Sequence, residues 1–430
     1  MDTFTARTTC RVCNFSTLTP ILSLGDLHPS DFVDAANAQN AVKAPLELML
    51  CNNADGGCGL LQLRHTVPHE SMYRNYWYRS GINKTMTDEL GSITSAAKEM
   101  VALASGDFVV DIGSNDGTLL RSYNVPGLNL VGFEPARNIV EKYGSNGITR
   151  IFNDFFNFGA WHEEFGKKKA KVITAIAMFY DLEDPNAFVA DVRAILDKDG
   201  LFIIQMAHVP LVIERNAFDG ICHEHLELYS LLALENLLKR HDLEIFDVAL
   251  RDINEGSIRA YIRHKGSSIT SEGGLERVQA LREEEKKLGL HEKKVYEDFV
   301  ARVKGIKHKT RDFIEAEVRK GKKVYVYGAS TKGNTLLQYF DLDNTLITAA
   351  AERNPDKWGK KTVGTLIPII SEEQARKEKP DYFLVLPWHF LKEFKEREKA
   401  YFAGGGKFIV PLPNLELVGY ENDRLVHRAL

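Results

Sequence analysis

The sequence predicts an α/β protein in which two parallel-sheet units follow a small metal-binding domain. Three observations carry that expectation. Four of the five cysteines fall within the first 58 residues. An apolar, β-branched run enters a glycine-bearing turn and then a helix at Phe108–Leu120. The same strand, turn and helix rhythm returns from Lys323 to Tyr339. At 430 residues the chain is long enough for two to three domains. We place them at 1–70, 71–265 and 266–430.

Composition excludes several classes. Apolar residues make up 44% and charged residues 27%, the balance of a globular protein. A net charge of -4 argues against a general binder of nucleic-acid polymers or anionic membranes. No apolar run is long enough to span a bilayer. Met1–Thr9 lacks the apolar core of a signal peptide, so the expected compartment is the cytoplasm. Five cysteines in so long a chain do not make a disulfide framework. Nothing in the sequence specifies an oligomeric state.

Cys10 and Cys13 are separated by two residues, a spacing that lets both thiolates reach one tetrahedral ion. Cys51 and Cys58 form a looser second pair, with Gly56, Gly57 and Gly59 to make the turn. Four thiolates predict a structural zinc site, closed because no position is left for chemistry. Next comes Met72–Gly81, with four aromatics and two arginines. It reads either as a packing face for the helical segment Thr85–Ser105 or as a lid over a polar substrate.

The strand at Phe108 ends in Asp111-Ile112-Gly113-Ser114-Asn115-Asp116-Gly117. A dinucleotide loop has the order G-x-G-x-x-G. Here a carboxylate comes first and the middle glycine is missing. Asp111 and Asp116 would repel a pyrophosphate but welcome a cationic ligand carrying an amino group. The pattern resembles the first motif of class I methyltransferases, which bind S-adenosylmethionine (SAM). A second strand, Leu128–Phe133, ends at Glu134, an acid that suits a ribose diol in SAM or NAD alike. Asn153, Asp154 and Phe155 follow the third strand, and an acid beside aromatics suits an adenine edge and face. Lys171–Ala177 is the fourth strand, leading into Met178-Phe179-Tyr180-Asp181, and Gly200–Met206 the fifth.

In Phe218–Ser230 two histidines flank a glutamate. Their spacing of two excludes the metalloprotease pattern, which needs four. In an extended segment His223 and His225 share one face and Glu224 takes the other. Histidine is the side chain suited to proton transfer near neutral pH. From Gly273 to about Lys320 long helices are expected, with an apolar stripe of Val295, Phe299, Val303 and Ile306. Glu283-Glu284-Glu285 and Lys286-Lys287 read as a solvated face.

The second α/β unit opens with Lys323–Tyr327 and the turn Gly328-Ala329-Ser330-Thr331-Lys332-Gly333-Asn334. Its hydroxyls, lysine and helix-start N–H groups suit a phosphate. Strands are expected at Ile347–Ala351, Asp381–Leu386 and Lys407–Val410. One loop is thus acidic and the other basic, which fits a cationic cofactor facing an anionic substrate.

At this point the chain resembles the SAM-dependent sugar C-methyltransferases that act on nucleotide-linked ketosugars. The matching features are the cysteine knuckle, Tyr76–Ser80, Asp111-x-Gly113 and His223-Glu224-His225. Gly256-Ser257-Ile258-Arg259, Gly328–Asn334, Arg353-Asn354-Pro355 and Pro387-Trp388 match as well. The resemblance implies a zinc-bearing N-terminal domain, a class I SAM methyltransferase core and a C-terminal Rossmann-like lobe, with the nucleotide sugar between the lobes. It implies methylation beside the keto group, at C-3, through an enediolate. His225 is the implied base, Glu224 a partner of the sugar, and Tyr76 or Tyr78 the support of the oxyanion. His223 and Cys222 complete the implied catalytic group. Asp111, Gly113, Ser114, Asn115, Gly117, Glu134, Asn153, Asp154 and Phe155 are the implied cofactor residues. Ser330, Thr331, Lys332, Gly333, Asn334, Arg353, Asn354 and Trp388 are those for the substrate. Cys222 stands where the family often has Tyr, His389 where Asn is common, and Gln205 where an acid is frequent.

Competing expectations are an O-methyltransferase on a related sugar, an NAD-dependent sugar-nucleotide oxidoreductase and a zinc-bearing sensor without catalysis. Asp111 and the missing middle glycine speak against NAD.

Overall fold

The computed structural model describes residues 4–34, 42–144, 146–422 and 424–430. The N-terminal region forms a small antiparallel sheet of β1 (Thr19–Leu27), β2 (Ala44–Leu50) and β3 (Leu61–Leu63). Its fourth strand, Glu227–Leu228, arrives from the middle of the chain and pairs with β3. A neighbouring segment of the central region is thereby stitched to the N-terminal domain.

Helix α1 (Lys84–Met100) is capped by Asn83, whose side chain accepts from the Thr85 amide. It buries Met86, Leu90, Ile93 and Ala97, a helical spacing, and it ends five residues earlier than the expected Ser105. The central sheet holds β4 (Phe108–Ile112), followed by the short α2 (Thr118–Arg121), then β5 (Asn129–Phe133), β6 (Arg150–Phe152), β7 (Ala170–Ile176) and β8 (Leu196–Ala207). A hairpin of β9 (Leu243–Arg251) and β10 (Ser257–His264) completes it. The order is β9-β10-β8-β7-β4-β5-β6, parallel except that β10 runs antiparallel to both neighbours. The chain therefore turns one way from β4 to β5 and the other way to β7. Its ligand crevice is expected beyond the carboxyl end of β4.

Helix α3 (Gly274–Leu288) and α4 (Lys293–Arg319) form the expected helical arm. In α4 the buried stripe is Tyr296, Phe299, Val303, Ile306 and Ile314, with Tyr296 in place of the expected Val295. One core contains this stripe, the N-terminal sheet and the C-terminal lobe. Glu285 departs from the expected solvated face. It is buried, accepts from His208 Nε2 at 2.7 Å and caps the helix at Leu231 through the amides of Leu231 and Leu232.

The C-terminal sheet runs from β11 (Val324–Tyr327), through α5 (Thr331–Tyr339), to β12 (Ala350–Glu352), β13 (Ile369–Ser371), β14 (Tyr382–Val385), β15 (Lys407–Val410), β16 (Glu416–Glu421) and β17 (Arg424–Ala429). Its order is β13-β12-β11-β14-β15-β16-β17, with the last hairpin antiparallel. The chain again turns both ways from β11, and the Gly328–Asn334 turn lies at that point. No described helix is long and apolar enough to cross a membrane.

Candidate active site and metal centre

The cysteine knuckle closes as the spacing predicts. The four sulfurs of Cys10, Cys13, Cys51 and Cys58 lie within 4.8 Å of one another, with Cys10–Cys58 and Cys13–Cys51 at 3.5 Å. That cluster fits a tetrahedral ion with Zn–S bonds of about 2.3 Å. A side chain at Gly57 would place its Cβ 2.6 Å from the Cys51 sulfur, so the turn needs a glycine there. The knuckle also has a mechanical role. Arg11, fully buried inside it, binds Glu183, Thr66 and the Leu63 carbonyl. Asn186 and Asn236 bond backbone carbonyls of the knuckle at Arg11, Val12 and Cys58. The metal domain thereby pins the Asp181–Glu183 loop, which borders the main cavity.

A cavity of about 400 Å³ runs from the end of β4 to the Gly328–Lys332 turn. Asp111, Gly113, Ser114, Asn115, Glu134, Asp154 and Phe155 line one end. Asp111 accepts from the Thr174 hydroxyl at 2.6 Å. Glu134 accepts from the amides of Asn115 and Ala136. Burial pushes both carboxyls up to about 7. The Ser114 hydroxyl is buried without a partner. Gly113 has a φ of 71°, and a Cβ there would meet Met178 at 3.0 Å. Two uncompensated carboxyls, an open hydroxyl and a glycine floor suit an amino-bearing cationic cofactor.

Two of the residues expected around the cofactor, Gly117 and Asn153, stand back from the cavity, as does the loop's second acid, Asp116. Gly117, with a φ of 76°, caps α2. Asn153 bonds the Glu134 carbonyl. Asp116 faces the Met72–Gly81 segment, taking the Gly81 amide and standing 3.6 Å from Arg79. Asn115 bonds the same segment at Tyr78 and Ser80. Tyr73, Tyr76, Trp77, Tyr78 and Arg79 all line the cavity, so the segment has a lid's position. Tyr78 is the exposed phenol and Tyr76 a half-buried one, whose hydroxyl is pushed well above the usual phenol range by its desolvated surroundings.

The His223-Glu224-His225 segment is a turn, not an extended strand, because the His225 amide bonds the Cys222 carbonyl. The two histidines therefore separate. His223 points to the Ala44 carbonyl of the N-terminal sheet, 3.0 Å away, and stays neutral through burial at about 4. His225 lines the cavity, 4.0 Å between ring centres from Tyr180. Its Nδ1 lies 2.8 Å from the Gly220 carbonyl. A donated Nδ1–H leaves the lone pair on Nε2. Burial and the nearby Lys332 ammonium hold the imidazole at about 3, so it is neutral at physiological pH. Glu224 lies in an adjoining groove of about 860 Å³ that also contains Ser30, Tyr76 and Thr331. One of its carboxyl oxygens is buried without a partner. Cys222 is buried outside the cavity wall, with its thiol against the Glu224 carboxyl.

At the far end Ser330, Thr331, Lys332, Arg353 and Asn354 line the cavity. Lys332 is not a free phosphate reader. Its Nζ is 2.6 Å from Glu255 Oε2. Gly333 and Asn334 stand behind the wall, where Asn334 bonds the Asp31 carbonyl. Trp388 is also behind it, donating from Nε1 to Asp219 Oδ2 at 3.0 Å. Gln205 serves Arg259 within a buried network that ends on Glu89.

Sequence reasoning gave no role to Tyr180, Asp181, Asp219, Glu255 or His389. Asp181 and Asp219 line the cavity, each with one buried oxygen unpartnered. Asp181 had a usable signal, since it ends the fourth strand's exit loop at the mouth of the sheet. Glu255 had none, because it reaches Lys332 from a distant hairpin turn in which Asn254 and Glu255 both have positive φ.

Three family models match consecutive stretches. "Putative zinc binding domain" matches 10–73, "Methyltransferase domain" 84–248, and "C-methyltransferase C-terminal domain" 252–413. The chain is a SAM-dependent methyltransferase. Its core has the class I methyltransferase fold, between a zinc-binding domain and a C-terminal α/β lobe. The C-methyltransferase NovU of Streptomyces niveus is 29% identical over 417 residues, which are 96% of this chain and 97% of that protein. Solved methyltransferases are more distant. The plantazolicin methyltransferase BpumL, in complex with a desmethyl analogue and SAH, shares 15% identity over 41% of this chain and 83% of its own, at a TM-score of 0.32. Magnesium protoporphyrin IX methyltransferase from Synechocystis PCC 6803 shares 12% over 42% and 86%, at 0.33. Among the residues of this methyltransferase, Asp111, Ser114 and Glu134 would hold SAM, and the four thiolates would hold zinc.

Proposed function

We propose that this methyltransferase transfers a methyl group to carbon, beside the keto group of a nucleotide-linked 4-ketosugar, with His225 as the base. One observation carries the reading. A single cavity joins the Asp111–Glu134 end to the Ser330–Lys332 turn, with His225 in its wall. The match to a C-methyltransferase C-terminal domain and the likeness to NovU support carbon as the acceptor.

SAM, when bound, supplies an electrophilic methyl group. The protein's task is to make a carbon nucleophile. His225 Nε2 takes the proton from the carbon next to the ketone, and the C–H electron pair becomes the enediolate. The Gly220 carbonyl holds Nδ1–H through this step and stabilises the imidazolium that forms. The half-buried Tyr76 phenol donates to the developing oxyanion. Arg353, Asn354, Ser330 and Thr331 face the nucleotide side. A 4-keto group acidifies C-3 and C-5 alike, and methylation is placed at C-3, the position the family resemblance implies. No metal is assigned to the carbon chemistry, since the thiolate cluster is a closed site in another domain.

The test is release of SAH from SAM over a panel of nucleotide-linked 4-keto-6-deoxyhexoses. Turnover of at least one is expected. A panel without turnover, on enzyme that binds SAM, overturns the ketosugar reading.

A further inference from the structure

The sequence presents Lys332 as a phosphate ligand, and its surroundings do not suit that task. Its Nζ is held 2.6 Å from Glu255 Oε2. Glu255 comes from the β9–β10 turn of the central domain, and it is 3% exposed. Asn254 and Glu255 are both left-handed, with φ of 47° and 67°, a backbone cost that aims Glu255 across the domain boundary. His389 Nδ1 stands 3.0 Å from the other Glu255 oxygen. Asp219, 1% exposed, lies in the same wall, fixed by Trp388 on one oxygen and open on the other. Burial alone would discharge Lys332, but Glu255 and Asp219 outweigh it and keep the ammonium protonated. That charge also acts on His225. Lys332 has three donors, and one is used by Glu255. The side chain lines the cavity together with His225.

We propose that Lys332 is the electrostatic partner of His225, placed so that its ammonium stabilises the enediolate oxygen generated as His225 Nε2 removes the neighbouring proton. Glu255 is a positioning residue that holds the ammonium in place. The proposal rests on the ketosugar reading. It assigns Lys332 to the reacting end of the substrate, with the nucleotide left to Arg353, Asn354 and the hydroxyls. The step balances within the proton transfer: the C–H bond breaks, Nε2 gains the proton, the C–H pair becomes the new C=C bond, and the carbonyl π pair moves onto oxygen.

Exchange without methylation isolates that step. Full-length enzyme is held in D2O with SAH in place of SAM, and the probe is a thymidine-diphosphate-linked 4-keto-6-deoxyhexose, with a uridine-diphosphate-linked one beside it. NMR follows loss of the proton next to the ketone, and calorimetry follows probe affinity. The wild-type enzyme is expected to exchange at least one probe. Lys332→Met should slow exchange by about 10²–10³-fold, the loss found when one oxyanion donor is removed, with a much smaller change in probe affinity. Lys332→Arg should recover part of the rate. Glu255→Gln keeps the ammonium and should lose less than about tenfold. Exchange at the wild-type rate in Lys332→Met overturns the assignment. So does a fall in exchange matched by the fall in affinity, which is the behaviour of a phosphate anchor. Equal losses in Lys332→Met and Glu255→Gln mark the pair as a bridge between domains and overturn it as well. Should Lys332→Met fail to fold, Lys332→Arg and Glu255→Gln still divide the cases by their ranking. Wild-type enzyme that binds SAH and exchanges neither probe removes the ketosugar reading itself, and the role of Lys332 falls with it.

Discussion

Asp111–Gly117 and Gly328–Asn334 occupy equivalent places in two sheets, each beyond the first strand at the point where the chain turns both ways. Their charges are treated differently. No cation is paired with Asp111 or Glu134 among the described residues, and both carboxyls are pushed up to about 7 by burial. Lys332, in the opposite turn, is already paired with Glu255. A charged loop seeks a ligand charge where the fold leaves it uncompensated. The acidic end is therefore a site for a cation, and the basic end is a balanced polar wall whose charge serves the reaction.

The largest effect expected concerns the residue between the two ends. His225→Gln should lower turnover by about 10²–10⁴-fold, the range for a general base, while SAM affinity stays unchanged in calorimetry. Loss of SAM affinity with turnover would instead place His225 at the cofactor end.

Next in size is the acidic end. Asp111→Asn should weaken SAM by about 10–100-fold, the equivalent of about 1.5–3 kcal/mol for a hydrogen bond to a charged group. The same carboxyls predict a pH dependence. Their folded values lie above the ordinary carboxyl range near 4. Their protonation stabilises the ligand-free enzyme at low pH, and that contribution is lost as pH rises through 7. A cationic ligand needs the ionised forms. The rise in Tm on adding SAM should thus be larger at pH 8 than at pH 6, and a pH-independent shift would contradict the uncompensated charge.

At the balanced end the effects are smaller. Trp388→Phe removes the donor to Asp219 Oδ2 and leaves a buried oxygen unpaired, a cost of about 1–3 kcal/mol in denaturant unfolding. No loss would mean that Asp219 is otherwise satisfied. Smallest of all, Cys222→Ala should leave kcat/KM near wild type, since the thiol lies outside the cavity wall. A large fall would put Cys222 back in contact with substrate.

Much of this was legible in sequence because it is local. The cysteine spacings, the strand and turn at Asp111 and the strand at Lys407–Val410 depend on neighbours in the chain. The four-residue span of β11 was also marked by its apolar run. What was not legible depends on contacts distant in sequence. The turn at Cys222–His225 splits two histidines that an extended reading puts on one face. Glu285 looks solvated in its charged run and is buried by His208 and a helix start some 54 residues away. Lys332 reads as free until Glu255, 77 residues earlier, is brought against it. Charge type can be read from a sequence, but charge compensation is a property of the packed chain.

A base between two complementary ends delivers the methyl group to carbon under the proposed function. That transfer is tested most directly by the product formed from SAM carrying a ¹³C-labelled methyl group and a nucleotide-linked 4-keto-6-deoxyhexose. The labelled methyl is expected to show a carbon-bound NMR shift and to correlate with the ring carbon beside the keto group. A labelled methyl bound to oxygen would contradict it.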